Sequence, residues 1–548
     1  MKSKFSKQLI FVLFGVLLIT SCDNGKTSAP DTSNPSTVIP SSEVISSTSE
    51  KEIYDGPVDQ FSRVEPGTNY SNRALDHAIE MTALDSLGEQ KLLVVPVVFS
   101  NTAGTHDTEE NHEMLERVFF GESEDTGWES LASYYAKSSY GRLTLTGEVA
   151  DYFYLDYSTF ELAEKHVDDA QYIGEDHYWD ETHHVIKDIY NTYDAEYLKQ
   201  FDLDGDGFVD AFWMVYMAEI GAVGDDSDVF WAYKFYWNRL PNKDKPTPNT
   251  YAWAGFTFAR DGKGYSYAEP DAHTFIHETG HLLSLPDYYD YDTDSRTGMQ
   301  LTNPSGGLDM MAYNIADHNS YSKYRYNWIE PYVVEGNADI TIAPFESSGD
   351  AILLKNGWNG HAYDEYLMFD FYTPTGLNEK DSEEGGYSSK RNPNSGTRNF
   401  TIPGVRIWHV DSRLLKYVYD HTGEFVSRTW TNTISGDAYH YTAVGPSNTA
   451  SRSRAQKIGT ETEIADDLKL LHLLNAEGRT GKVGNWLRTG TVAGNKALFQ
   501  EGDVIEYDNW KQYLQNSEAF NDGTPVGYTV EIGEMTEEGV TIKFRVAN

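Results

Sequence analysis

The segment HETGH, in which His277, Glu278 and His281 form the pattern H-E-x-x-H, most constrains this 548-residue chain. Side chains four positions apart lie on one face of an α-helix. The two imidazoles can therefore bind one metal ion while Glu278 points toward the neighbouring cleft. This arrangement is typical of zinc sites that hydrolyse peptide bonds. In a chain with this many histidines, the three fixed positions occur by chance with a probability on the order of a few per cent. The neighbouring residues must therefore decide whether the motif is a metal site or a coincidence.

A zinc ion needs a third protein ligand beyond the two histidines. No glutamate occurs between His281 and Glu330, whereas Asp287 follows His281 by six residues, the position of the third ligand in metzincins. A carboxylate oxygen is an accepted zinc ligand, and Pro286 would end the helix and let the chain return toward the metal. The alternative is that Asp287 is only a turn residue after the helix.

Ser284 stands where metzincins have a glycine in the turn between the second and third ligands. A residue with a Cβ adopts the left-handed conformation at a cost of roughly 1 kcal/mol or more. We therefore expect the turn of this chain to differ slightly from a glycine turn.

The segment GGLDMMAYN provides a second metzincin feature, a methionine in a tight turn below the ligands with a tyrosine two residues later. Met311 is the predicted floor because its thioether is flexible and apolar. Tyr313 is the predicted aromatic residue whose hydroxyl steadies the tetrahedral intermediate. Met310 could face the core instead, and the spacing to Tyr313 favours Met311 as the floor.

A second candidate metal site lies in FDLDGDGFVD, where Asp202, Asp204 and Asp206 alternate around a glycine turn as in the first half of an EF-hand loop. The twelfth position is Trp213 instead of glutamate, which excludes a standard EF-hand. Asp210 is the candidate closing carboxylate. Hard oxygen ligands fit calcium, which would brace the strand that enters the cleft. A plain Asp-Gly turn is the alternative.

The formal net charge of −42 argues against a nucleic-acid partner, since phosphate contacts need clustered lysine and arginine. The charge favours calcium, although a solvated acidic surface explains most of it.

Residues 1–22 combine three N-terminal lysines with an apolar run too short for a confident membrane span, and they end at Cys22. This ending resembles a bacterial lipoprotein signal peptide with a lipobox, in which Cys22 is lipidated. An ordinary signal peptide is the alternative. Cys22 is the only cysteine, so an intrachain disulfide and a cysteine ligand or nucleophile are excluded. Residues 23–52 are rich in Ser, Thr and Pro and are predicted to be a disordered tether at the extracellular face of the bacterial membrane.

Residues 53–89 form a short, mostly polar segment that is either an N-terminal extension or a propeptide remnant, and a helix is predicted at 73–87. Residues 90–330 mix strands and helices, which predicts an α/β (α+β) catalytic domain. Residues 331–548 contain short apolar runs separated by turn residues, which predicts an antiparallel, sandwich-like β region. Within 90–330 the elements expected are a strand at 90–100, helices near 111–120, 127–137 and 179–197, paired strands at 142–155, and strands at 211–218 and 229–237.

HETGHLLSLPDYYD, GGLDMMAYN with SYSKYRYNWI, and FDLDGDGFVDAFWMVY together resemble the immune inhibitor A family of secreted bacterial metallopeptidases. The likeness covers about 90–330 and continues thinly through EYLMFDFY and PGVRIWHVD. It implies a metzincin-like zinc endopeptidase with His277, His281 and Asp287 as zinc ligands and Glu278 as general base. It also implies calcium, and often a propeptide.

We therefore expect a membrane-anchored zinc endopeptidase that cleaves extracellular proteins or peptides. Zinc would polarise the scissile carbonyl and lower the pKa of a bound water, whose proton Glu278 would take and deliver to the leaving amine. The main alternative is a calcium-dependent surface adhesion or binding lipoprotein with a non-catalytic metal site. A zinc hydrolase that acts on non-protein amides is a weaker one.

Overall fold

The computed structural model describes residues 56–75, 84–126, 128–162, 180–223, 229–237, 239–260, 270–290, 303–383, 399–419, 425–434, 440–443, 469–478, 493–514 and 519–547. Cys22 and the tether predicted at 23–52 lie outside these ranges. Within them, no helix combines the length and the apolar character that crossing a membrane requires.

The chain forms a mixed α/β fold with a high content of β structure. The strands are β1 (Asp59–Arg63), β2 (Gly88–Val98), β3 (Leu143–Val149), β4 (Phe153–Tyr154), β5 (Ala211–Tyr216), β6 (Tyr233–Tyr236), β7 (Thr250–Gly255), β8 (Tyr332–Ile342), β9 (Ala351–Leu354), β10 (Glu365–Tyr372), β11 (Gly404–Asp411), β12 (Leu414–Tyr419), β13 (Phe425–Thr431), β14 (His440–Ala443), β15 (Leu471–Leu473), β16 (Val504–Ile505), β17 (Tyr528–Met535) and β18 (Val540–Val546). The α-helices are α1 (Glu109–Phe120), α2 (Ser123–Thr126), α3 (Leu131–Ser138), α4 (Asp180–Thr192), α5 (Ala195–Leu198), α6 (His273–Leu282), α7 (Met310–Tyr313), α8 (Ser320–Arg325), α9 (Phe345–Ser348) and α10 (Glu379–Glu383). Short 3₁₀ helices cover Asn72–Leu75, Lys199–Phe201, Phe256–Ala259, Gly376–Asn378, Asn495–Ala497 and Trp510–Gln512.

The first sheet has the order β3-β2-β5-β7-β6, in which only the edge strand β6 runs antiparallel to its neighbour. Strands β5 and β7 are buried along their whole length, as expected for parallel strands covered on both faces. The strands predicted to pair with each other at 142–155 instead both pair with β2 in parallel. β3 lies along the start of β2 and β4 along its end. Strand β2 has eleven residues, so one edge of it is long enough to pair with both β3 and β4. The local sequence patterns of β3 and β4 do not reveal this shared partner.

The second sheet has the order β15-β11-β10-β9-β8-β18-β17-β16, and β1 also pairs with β8. Its pairs are antiparallel, as predicted, except for β8 and β9. Three strand spacings separate β10 from β18, which in a flat sheet would be about 14 Å. The rings of Phe369 on β10 and Phe544 on β18 nevertheless lie 5.3 Å apart. The predicted sandwich is therefore replaced by a curled nine-stranded sheet that folds over its own core, together with a separate three-stranded antiparallel sheet of order β13-β12-β14.

The other face of the curled sheet belongs to the core of the first sheet. On β10, Tyr366, Met368 and Tyr372 pack into the core that contains the motif helix α6. The alternate residues Leu367 and Phe369 pack inside the curl. This alternation follows from the two-residue period of a strand. The described strands of the second sheet therefore form one wall of the core that carries the site.

The N-terminal segment is built into the same fold. Strand β1 extends the second sheet by pairing with β8. Asn72 donates from its side chain to the carbonyl oxygens of Leu84 (2.8 Å) and Leu283 (3.0 Å), and the amide of Leu84 donates to Leu282. The helix predicted at 73–87 is wrong for the described residues of that stretch. They form only the end of a 3₁₀ turn and then, from 84 onward, irregular backbone that bonds to other segments.

Candidate metal centre

The motif helix α6 is held from two sides by side chains that bond to it. Trp213 on β5 donates from Nε1 to the hydroxyl of Thr279 at 3.2 Å. The hydroxyl of Tyr326 donates to the carbonyl of Gly280, also at 3.2 Å. Because these partners are buried, the helix has a fixed depth and rotation in the core. The face that carries the two histidines is therefore preset.

The structure brings together the three predicted zinc ligands. Asp287 Oδ1 lies 2.9 Å from His277 Nε2 and 3.3 Å from His281 Nε2. One ligand atom from each residue lies within 4.8 Å of the others. Ligands at 2.0–2.1 Å from a tetrahedral ion are about 3.3 Å apart, so this set of two imidazoles and one carboxylate fits zinc.

Backbone carbonyls fix the orientation of both imidazoles. His277 donates from Nδ1 to the carbonyl of Met310 at 2.8 Å, and His281 donates from Nδ1 to that of Leu285 at 2.7 Å. A carbonyl oxygen can only accept, so each Nδ1 carries a proton. Both Nε2 atoms are thereby directed at Asp287, which is the tautomer that a ligating histidine needs.

The charges of the triad stabilise one another when no metal is bound. Burial alone would lower the pKa of His281, but the Asp287 carboxylate raises it to about 9. Burial alone would raise the pKa of Asp287, but the two histidines hold it well below its usual range. The metal-free cluster thus retains a proton that a bound cation must displace, so we expect metal binding to release protons.

Glu278 differs from Asp287 in having no ligand-like contact. Its side chain is 7% exposed. Its carboxylate makes no hydrogen bond within the part of the chain that the structure describes. Burial raises its pKa, and the charges of His281 and His277 oppose this rise. A carboxylate beside the ligands but not engaged by them is suited to proton transfer.

Ser284 adopts the left-handed conformation, with φ of 76°. The turn therefore has the left-handed backbone expected for glycine, in contrast to the difference expected from the sequence. Two side-chain bonds anchor it: the Ser284 hydroxyl donates to the carbonyl of Asn72 at 2.9 Å and accepts from Arg325 Nη2 at 3.3 Å. Bonds of this kind help to offset the strain. The chain then returns and places Asp287 against the two histidines.

The predicted methionine turn lies directly below α6. Met311 is fully buried, and its Sδ lies so close to Gly280 that a Cβ at that position would overlap it. The Met311 carbonyl accepts from the amide of Tyr288 at 2.8 Å, next to the predicted ligand Asp287. Met310 is also buried, and it is the Met310 carbonyl that holds His277. The two methionines therefore have different contacts with the site.

Tyr313 packs its ring over Gly307, where a Cβ would overlap the ring. Burial raises the pKa of Tyr313 to about 12, so its hydroxyl stays protonated at neutral pH. The role predicted for this hydroxyl toward a reaction intermediate stays a prediction.

The structure also gathers the acidic loop. Carboxylate oxygens of Asp202, Asp204 and Asp210 lie within 4.8 Å of one another. The fourth predicted ligand, Asp206, is not part of this group, and its carboxylate pairs with Arg73 Nη2 at 2.8 Å. Arg73 Nη1 also pairs with Asp204 at 2.9 Å. A side chain from the N-terminal segment thus supplies part of the positive charge that the loop attracts.

Backbone amides bind the remaining carboxylates of the loop. Gly207 donates to Asp202 at 3.2 Å, and Leu203 donates to Asp210 at 3.2 Å. One oxygen of Asp202 is buried and has no hydrogen-bond partner within the described chain. Burial, together with the charge of Asp204, raises the pKa of Asp210 to about 7. The donor set suits calcium, and the loop is also closed without an ion.

Sequence reasoning missed three partners of these sites. The Met310 carbonyl is a main-chain group that no side-chain motif predicts, and Asp309, which accepts from the amide of Met311, lies outside the motifs used to choose the ligands. Arg73 lies far from the acidic loop in sequence. A search for carboxylates that cap a turn next to a ligand could have singled out Asp309.

No model of a known protein family matches this chain, and no curated protein matches it.

Proposed function

We propose that this protein is a zinc-dependent endopeptidase with a metzincin-like catalytic domain. The observation that carries the proposal is the convergence of His277, His281 and Asp287, with Glu278 beside them and not engaged by them. The ligand residues supply the nitrogen and oxygen donors that zinc prefers. The adjacent carboxylate is the further group that hydrolysis requires.

Zinc bound by these three residues would supply Lewis-acid polarisation of a scissile carbonyl. Glu278 accepts a proton from the attacking water and passes it to the leaving amine. Its pKa is raised by burial, which makes it a stronger base than an exposed carboxylate. The Met310 and Leu285 carbonyls keep His277 and His281 in the ligating tautomer. Met311 is fully buried and keeps the floor below the helix apolar.

A peptide is the substrate class that the neighbouring sheet supports. Strand β6 is the last strand in the order of this sheet, and both β6 and β7 pack against α6. An extended peptide can add to the edge of a sheet, where main-chain bonds provide affinity. This arrangement favours a peptide bond as substrate over a small non-protein amide.

The proposal extends to calcium and to location. The acidic loop of Asp202, Asp204 and Asp210 is a structural calcium site with Asp206 at its rim, and it braces the segment that leads into β5. Cys22 carries a lipid that holds the enzyme at the extracellular face of a bacterial membrane, where its substrates are extracellular proteins or peptides. This part rests on the sequence alone. Labelling with a radioactive fatty acid, lost in Cys22→Ala, tests it.

The alternative of a calcium-dependent adhesion protein with a non-catalytic metal site is disfavoured by Glu278. Such a protein has no need of a buried carboxylate beside the ligands, because an unbonded buried charge costs stability. A protein that binds zinc but cleaves no peptide would favour the alternative.

The test is hydrolysis of casein by the purified protein. We expect cleavage that 1,10-phenanthroline abolishes and that added zinc restores, while an excess of EGTA at moderate temperature leaves most activity. Cleavage that is insensitive to phenanthroline would contradict the proposal.

A further inference from the structure

The loop before the methionine turn contains a buried carboxylate that is linked to His277 through hydrogen bonds and does not contact it directly. Asp309 is fully buried and is the N-cap of α7. Its Oδ1 accepts from the amide of Met311 at 2.8 Å. Its Oδ2 accepts from the backbone amide and the side-chain amide of Asn319, both at 2.8 Å. Three donors thus hold one carboxylate in a single orientation.

The peptide unit between Met310 and Met311 joins this carboxylate to a metal ligand. The N–H of that unit donates to Asp309, while its C=O accepts from Nδ1 of His277 at 2.8 Å. Amide and carbonyl of one peptide unit point in opposite directions, because the unit is planar and trans. Asp309, the peptide and His277 therefore form one line of hydrogen bonds that ends at Nε2, which faces Asp287.

We propose that Asp309 is a positioning residue that fixes and polarises the ligand His277 through the Met310–Met311 peptide. A carboxylate at the N–H end of a peptide increases the negative charge on its carbonyl oxygen, since hydrogen bonds in a chain polarise one another. The Met310 carbonyl then binds the Nδ1 proton of His277 more strongly. This makes Nε2 a better donor to a metal, as carboxylates do when they bond a ligating histidine directly.

The charge state of Asp309 is consistent with this role. Burial raises its pKa to about 6, and the three N–H donors oppose the rise, so most of the carboxylate is ionised at neutral pH. No lysine or arginine lies within ion-pair distance of it among the described residues. The negative charge is therefore directed into the hydrogen-bond line rather than neutralised by a direct ion pair.

The proposal rests on the proposed zinc site and is tested by metal affinity. The probe is zinc itself, in competition with a chromogenic chelator. Asp309→Asn removes the charge but keeps an oxygen that can accept from Met311. Asp317→Asn is the matched control, because it also turns a buried carboxylate into an amide, but Asp317 bonds to Ser138 and Lys323 and not to the Met310–Met311 peptide. We expect zinc affinity to fall by about tenfold in Asp309→Asn and to stay near wild type in Asp317→Asn.

A purely structural role would lower the melting temperature of both variants and leave affinity alone. The cobalt(II)-substituted proteins provide a readout of ligand geometry, and we expect the visible absorption to change in Asp309→Asn only. Asp309→Asn with wild-type zinc affinity and an unchanged cobalt spectrum would overturn the proposal. If wild type itself failed to bind zinc, the proposed function would fall instead, so the two failures are distinguishable.

Discussion

The two clusters of possible metal ligands in the described part of the chain differ in how many of their carboxylate and imidazole groups already have protein partners. In the first cluster, His277, His281 and Asp287 are mostly buried and direct their remaining donor atoms at one point. In the second, the carboxylates already accept from backbone amides and from Arg73. The first arrangement is expected of a site that needs its ion for chemistry. The second is expected of a loop that an ion only stiffens.

The largest difference should appear when one ligand is removed from each cluster. Asp287→Ala removes the oxygen that lies 2.9 Å from His277 Nε2. Bound zinc should fall, and kcat/KM toward a fluorogenic peptide should drop by about 10³-fold or more, since metal polarisation contributes several kcal/mol. Asp204→Ala is the matched change in the second cluster, and hydrolysis should stay close to wild type. Equal losses in both variants would contradict separate roles.

Glycines in the two clusters provide the next comparison. Gly280→Ala should cost about 1–3 kcal/mol of unfolding free energy, because the added Cβ overlaps Met311 Sδ. Gly205→Ala in the acidic loop meets no neighbour but has φ of +69°, so it should cost only about 1 kcal/mol. Gly494→Ala is the control, with open space and no left-handed backbone. Urea denaturation measures the free energy of unfolding of all three variants. A Gly280→Ala variant as stable as wild type would contradict the close contact between Gly280 and Met311.

A smaller effect should appear in the pH dependence of the second cluster. Burial raises the folded pKa of Asp210 to about 7, compared with about 3.9 in an unfolded chain. In EGTA the folded state therefore binds more protons than the unfolded state between about pH 4 and pH 7. As pH rises through that window, the ionisation of Asp210 lowers the free energy of unfolding. Calcium needs the ionised form and should reverse the trend.

Asp210→Asn should remove both the pH dependence that this residue contributes and the stabilisation by calcium. Urea midpoints at several pH values, in EGTA and in calcium, report the difference from wild type. A wild-type melting temperature that is identical in EGTA and in calcium would argue against a calcium site.

The smallest effect concerns Arg73. Its pairs with Asp204 and Asp206 are partly exposed, and pairs of this kind contribute about 0–1 kcal/mol each. Arg73→Met should therefore change stability in EGTA only slightly, but it should tighten calcium binding by a few-fold because a competing positive charge is lost. Arg63→Met, which removes a pair with Asp350 elsewhere, is the control. Weaker calcium binding in Arg73→Met would mean that Arg73 orders the loop instead.

Local patterns predicted the elements that carry the site. The β-branched run at 90–100 corresponds to β2, and the helical pattern at 111–120 corresponds to α1. The motif spacing placed His277 and His281 on one helical face. These predictions succeed because side-chain period and ligand spacing are properties of one segment.

Contacts between distant segments could not be read in this way. Strand β1 pairs with β8, and β3 and β4 both pair with one edge of β2. These strand edges exist only once the sheets have formed, so no single segment predicts the pairings. The left-handed Ser284 depends on the Asn72 carbonyl, which lies more than two hundred residues away in sequence. Propensity alone predicted strain there, and tertiary hydrogen bonds decided the conformation.

The most direct test of the proposed zinc endopeptidase activity compares wild type with Glu278→Ala in two assays, zinc content per chain and cleavage of a peptide library. We predict that the variant retains zinc, because Glu278 forms no hydrogen bond or ion pair with His277, His281 or Asp287, and that cleavage is lost. Substantial proteolysis by pure Glu278→Ala would contradict the account.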